Sequence, residues 1–257
     1  MNNLPARTGW EWLKRGMLLF RRQPGALTTL LFASILLAIG ISAVPYIGPF
    51  IMVMLIPSFS MAFMQACLMI ENGDRVTPGV LLTGFRKPAL AGLCKVGVIY
   101  LGVFLVLNVV ALVMTPESLR HLPQNIKIEA GDKLPFTFGD VMTLFGFLIL
   151  ETVTLLTLCF AAPLTYWKRM GPGKATFYSF FAVIRSARVF GVLLLSWFGI
   201  FTAITILVVN LFSTIMLAQV VMIWLMFLFI MFLQCALYAG YEDIFGKPVA
   251  GQEQKAA

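Results

Sequence analysis

Six stretches of this chain are each apolar for about the 20 residues that a ~30 Å hydrocarbon layer requires, and the basic residues gather in alternate gaps between them. That alternation constrains the fold more than any motif. Apolar residues make up 60% of the 257 residues and charged residues 12%, more apolar surface than a soluble domain of this size can bury. A mean hydropathy of +0.92 points the same way. With no water inside a bilayer to satisfy backbone N–H and C=O groups, the spans are expected to be helices, and they are too long and uniform for barrel strands. The expected fold is therefore an all-α membrane protein with six transmembrane helices, over residues 25–43, 50–70, 89–114, 141–166, 190–209 and 213–236.

The chain carries 19 Lys and Arg residues. Only Arg120, Lys127 and Lys133 fall on one side, all in an outer loop over 115–140; the others share the opposite side with both termini. The positive-inside rule places that richer side in the cytoplasm, as expected of a bacterial inner-membrane protein. The net charge of +8 is thus spent on orientation, and its phase with the apolar spans argues against nucleic-acid binding. Residues 1–24 contain no apolar h-region of a signal peptide and read instead as a cytoplasmic amphipathic segment. Residues 239–257 read as a cytoplasmic tail. Cys67, Cys94, Cys159 and Cys235 match no metal-ligand spacing and are expected to be reduced apolar fillers.

A short amphipathic stretch precedes each pair of spans, which suggests three repeats of an interfacial helix followed by a transmembrane hairpin. Thr8 and Glu11 have capping-box spacing, and Trp10, Leu13, Met17 and Phe20 then recur at helical intervals among basic residues. Such a composition suits a helix lying in the headgroup layer. The residues expected to meet lipid headgroups, anionic ones above all, are Trp10, Trp12, Lys14, Arg15, Arg21, Arg22, Arg86, Lys87, Arg185 and Arg188. Ser34, Ala38 and Ser42 on the first span, and Ser58, Ala62 and Ala66 on the second, form small-residue rows that let helices approach closely. Pro57 and Pro163 lie inside spans, where proline bends a helix.

The pattern Arg7-x-Gly9-Trp10-x-Trp12-Leu13-x-x-Gly16, with Phe20, Pro24 and Pro45-x-Ile47-Gly48 downstream, resembles a family of six-helix proteobacterial inner-membrane proteins. More remotely, the layout is similar to the membrane domain attached to some glycerophosphodiester phosphodiesterases. The resemblance implies a six-helix fold and an inner-membrane location. It implies no activity, because the catalytic domain of those enzymes has no counterpart along these residues.

Glu151 is the one acid deep in a span, close to the bilayer midplane by residue count. A charge there is expensive, so the side chain is expected to face protein or water, or to carry a proton. Two readings stay open: a proton or polar-ligand site, with Thr154 one turn away and Tyr100 at similar depth, or a hydrogen bond that glues helices together. Asn108, Asn210, Gln65, Gln219 and Gln234 read as interhelical glue. No P-loop, dinucleotide fingerprint or zinc-protease motif occurs, and His121 stands alone, so neither an enzyme, a metal site nor a cofactor is expected. Two functions remain. The first is a non-catalytic membrane partner or assembly factor that recognises lipids or another membrane protein. The second is a transporter of a small or amphipathic solute that uses Glu151.

Overall fold

A computed structural model describes residues 4–86, 89–115, 137–211 and 215–248. Helices α1 (Thr8–Arg22), α2 (Pro24–Ser42) and α3 (Gly48–Asn72) are followed by a 3-10 helix (Pro78–Phe85) and α4 (Ala89–Met114). Then come α5 (Phe138–Leu158), α6 (Ala161–Trp167), α7 (Pro172–Arg185), α8 (Ala187–Leu211) and α9 (Ile215–Phe245). The described residues contain no strand. Six helical segments are long and apolar enough to cross a membrane, with α5 and α6 together counting as one. They coincide with the expected spans to within a few residues, except that α9 runs nine residues past its expected end.

Local signals fix the breaks. Gly73 takes a left-handed conformation (φ 85°) that ends α3, and its N–H bonds back to the Ile70 carbonyl. The N-terminus of α5 is closed by a capping box in which Thr137 and Asp140 bond each other reciprocally. Between α1 and α2 a single non-helical residue, Gln23, is followed by Pro24. Proline suits this first position because its missing N–H would have no partner there anyway. The Gln23 side chain donates to the Asp74 carbonyl (2.7 Å) and accepts from the Val76 N–H (3.1 Å), tying the break to the loop after α3.

The break between α5 and α6 follows from Pro163. A proline removes the hydrogen bond to the carbonyl four residues earlier and its ring crowds that carbonyl, here Cys159. Residues Cys159 and Phe160 accordingly leave the helix. Ser179 of α7 sits in the gap: its hydroxyl donates to the Thr157 carbonyl (2.7 Å) and accepts from the Phe160 N–H (3.1 Å). The Tyr100 hydroxyl of α4 donates to the Leu158 carbonyl (2.8 Å). Non-helical backbone at membrane depth is tolerated only where protein satisfies it. Pro57 produces no such gap, since α3 continues through it as a helix. Ser179→Ala is therefore expected to lower stability by about 1–3 kcal/mol, the loss from orphaning a buried backbone group. Thermal unfolding in mild detergent measures it, and a neutral result would show that water replaces the hydroxyl.

The three surface elements dock in rotation. The 3-10 helix lies on α2, α3 and the start of α4, α7 lies on α4, α5 and α6, and α1 lies on α8 and α9. The 3-10 helix and α7 thus rest mainly on the hairpin that precedes each of them in sequence, and α1 rests on the last hairpin. The spans α2 and α3 pack on each other as their tight connection implies. Within the bundle α3 is the most enclosed span, 56% buried against 11% for α2.

Candidate functional site

The densest polar cluster lies at the basic end of the bundle, around the last turns of α9. Residues 239–245, expected in a tail, continue the helix, and its first turn there enters the core: Ala239 and Tyr241 are buried, as is Tyr238 just before them. Against them runs α1, antiparallel to α9, with Trp12 beside Gly240, Gly16 beside Ala236 and Phe20 beside Phe232. The fit depends on missing side chains. A Cβ on Gly9 would stand 2.2 Å from the Val189 carbonyl oxygen, and one on Gly16 would stand 2.7 Å from the Ala236 nitrogen. These backbones approach more closely than any larger residue permits.

Trp12 is the anchor. Its ring is fully buried, meets Phe190 edge-on at 5.4 Å, and its Nε1–H donates to Asp243 Oδ2 at 2.7 Å. Arg15, one turn on, pairs with Asp243 (2.8 Å) and with Glu242. Burial works against the Arg15 charge, but Asp243 and Glu242 outweigh it and hold the guanidinium above its ordinary pKa. A second branch starts at Glu71 of α3, whose carboxylate accepts from the Tyr238 hydroxyl (2.5 Å) and lies 3.5 Å from Lys247 Nζ. Trp167 Nε1–H donates to Gln65 Oε1 (3.0 Å), and Lys168 donates to the Phe245 carbonyl at the C-terminus of α9. The cluster thus joins α1, α3, α6 and α9. The Tyr241 hydroxyl is buried inside it without a hydrogen-bond partner among the described residues.

Several expected site residues sit elsewhere than the sequence suggested. Trp12 and Arg15, expected among lipid headgroups, both turn to α9: Trp12 is buried against it and Arg15, half-buried, pairs with Asp243 and Glu242. Trp10, Lys14, Arg21 and Arg22 do face outward, with Trp10 at 38% exposure and Lys14 Nζ over its ring at 5.5 Å. Arg86, Arg185 and Arg188 are exposed and Lys87 lies outside the described residues. Of the small-residue rows, Ser58, Ala62 and Ala66 are buried, whereas Ser34 and Ala38 are half-buried and Ser42 is exposed. Ser58 lies under the 3-10 helix, where a Cβ on Gly84 would stand 3.0 Å from its own.

The structure does not join Glu151, Thr154 and Tyr100 by hydrogen bonds. The Thr154 hydroxyl turns back to the Leu150 carbonyl, Tyr100 serves the helix break, and Glu151 is half-buried with no hydrogen bond or ion pair among the described residues. Two of the expected glue residues do link helices, Gln65 to Trp167 and Gln234 to Ser60 (3.2 Å). Asn108 and Asn210 instead bond carbonyls of their own helices, and Gln219 is exposed. The buried thiols of Cys67 and Cys235 meet at 3.4 Å, unbridged. Among the described residues no group of three or more His, Cys, Asp or Glu is placed to hold a metal ion. His121 lies outside them.

Sequence reasoning missed Glu71, Glu242, Asp243, Tyr238 and Ser179. One available signal was the pair of adjacent acids at Glu242 and Asp243 on a face otherwise rich in Lys and Arg. The other was the Gly9, Trp12, Gly16 spacing, a small-large-small row at helical intervals.

A curated relative matches most of this chain's length. It is a probable inner membrane protein of Burkholderia thailandensis, 29% identical over 251 residues, which are 94% of this chain and 92% of the relative. This is a membrane protein. The likeness and the six apolar helices support that together. No family model and no solved structure matches the chain.

Proposed function

We propose that this protein is a non-catalytic partner or assembly factor of the inner membrane, with both termini in the cytoplasm, which meets lipids and another membrane protein through its surface helices. The observation that carries the reading is the outward face of α7. Phe177, Phe180, Phe181 and Ile184 are all exposed there, beside Lys174 and Arg188. The opposite face, Ala175, Ser179, Ala182 and Val183, is sealed against the bundle. Small residues inside and large aromatics outside invert the pattern of a soluble surface helix, and at a membrane surface such a face, rimmed by charge, suits contact with lipid or with another membrane protein. The rotation in which the surface elements dock supports the threefold repeat as part of the same reading.

Co-purification from native-lipid particles tests it. A stoichiometric membrane-protein partner is expected, reduced about fivefold or more by Phe180→Ser with Phe181→Ser while the unfolding temperature holds. A protein that always purifies alone, or a partner indifferent to that change, would overturn the partner role. Reporter fusions at each terminus check the orientation.

A transporter that uses Glu151 is the second reading, favoured by one observation: nothing among the described residues compensates that carboxylate. Intramembrane acids without partners mark ion or substrate routes by default. Glu151→Gln is expected to leave insertion and stability unchanged. Loss of solute uptake by intact proteoliposomes would favour this reading, and unchanged uptake would remove it.

A further inference from the structure

We infer that the groove between α2 and α9 is a binding site for one anionic phospholipid, with an acyl chain in the groove and the phosphate at the N-terminus of α2. This deepens the lipid half of the proposed function, and it rests on a different part of the molecule from α7. Close packing of α1 on α9 ends at the edge-on contact of Phe20 with Phe232, 4.8 Å between ring centres. Beyond it α2 parts from α9 and leaves a space of about 390 Å³, walled by Thr28, Leu31 and Phe32 on one side and Trp224, Leu225 and Leu228 on the other. That volume lies within the range of small-molecule sites.

The walls suit hydrocarbon. The one polar group, the Thr28 hydroxyl, is turned back onto the Pro24 and Gly25 carbonyls (2.9 and 3.0 Å). Phe32 and Trp224 stack across the groove at 5.3 Å with an interplanar angle of 11°. Both walls belong to helices apolar and long enough to span a membrane, the setting in which hydrocarbon rather than water would fill such a groove.

The headgroup end is set by charge. Arg21 and Arg22 directly follow Phe20, which makes the ring contact with Phe232, and both are exposed with no ion-pair partner among the described residues. Gln23, held on both sides of its amide, fixes them at the break. One residue later α2 begins, and its first amides have no helical carbonyl beneath them, the arrangement that attracts phosphate. Space is open around Gly25, where an added Cβ would meet nothing within 4 Å. Two unpaired guanidinium groups, free amides and an adjoining apolar channel match a lipid phosphate and its chain. Zwitterionic lipids carry the same chains but lack the net charge.

Native mass spectrometry of the full chain, released from particles containing phosphatidylglycerol or phosphatidylcholine, tests the site. One phosphatidylglycerol per chain is expected to persist, with phosphatidylcholine held about tenfold less. Arg21→Gln with Arg22→Gln is expected to erase that preference, as follows from losing two basic contacts with anionic headgroups. Leu225→Trp, which fills the groove, is expected to displace both lipids. Equal retention of the two lipids by the unaltered protein, or a preference that survives the arginine changes, would overturn the proposal. Because Leu225→Trp tests only the chain and the arginine pair only the phosphate, a misfolded variant of one leaves the other decisive. Partner recovery through α7 is a separate measurement, so either idea can fail alone.

Discussion

Trp12→Ala is expected to lower stability by about 3–5 kcal/mol, the usual range for emptying the space of a large buried aromatic. Trp12 is fully enclosed, so little of the cavity can be relieved by solvent. The change also removes the indole donor from Asp243, although Arg15 still pairs with that carboxylate. In mild detergent the loss should appear as a fall of roughly 10 °C in unfolding temperature. Trp12→Phe separates the two contributions, since it restores most of the ring without the hydrogen bond, and should recover more than half of the loss. If alanine proved neutral, α1 would not be docked in the membrane-embedded protein.

Gly9→Ala and Gly16→Ala should be almost as damaging, by the opposite route. One carbon is added to each, yet each would overlap the backbone of a neighbouring helix: the Val189 carbonyl and the Ala236 amide. Side chains can rotate away from such an intrusion, but backbone inside a helix cannot. A cost of about 1–3 kcal/mol per site is expected from overpacking alone. The informative measurement is the pairing with Trp12. If either glycine change detaches α1, then Trp12→Ala added on top should cost far less than it does alone, because its ring has already left the core. Full additivity would mean that α1 stays docked and the strain is absorbed locally.

How much was legible in the sequence depended on whether a signal was carried by apolar residues or by small ones. The spans were, because a bilayer demands uninterrupted hydrocarbon and nothing else in the chain imitates it. The face of α1 was not. Trp10, Leu13, Met17 and Phe20 make a convincing hydrophobic stripe, but Trp10 and Met17 lie on the exposed side, and the buried one runs through Thr8, Gly9, Trp12, Gly16 and Leu19. Glycine contributes nothing to a count of apolar residues, although here it decides which face touches protein. The acids Glu242 and Asp243 were hidden for a related reason: a helix that extends past the membrane carries polar residues, and on sequence alone those mark its end. Only the partner helix, far away along the chain, reveals that they are paired with Trp12 and Arg15. Glu151 was correctly placed in a span, but the hydroxyls expected around it were committed to backbone carbonyls. Those bonds depend on where helices break and turn, which spacing within one span does not disclose.

The seating of α1 on α9 also orders events in time. Residues near Trp12 leave the ribosome well before their receptor around Gly240 is made. At about 5–20 residues per second, that interval is roughly 10–50 s. For most of it the α1 face bearing the indole and two glycines lacks its full seat, since the Val189 side is made some fifty residues before Gly240, and the bilayer surface can shelter it meanwhile. The amphipathic character of α1, with Lys14, Arg21 and Arg22 facing out, makes it a tolerable lodger there. Closure of the bundle is then a single late step that requires both ends of the chain, so a nascent protein stalled short of its final turns would hold every span and still be unlatched.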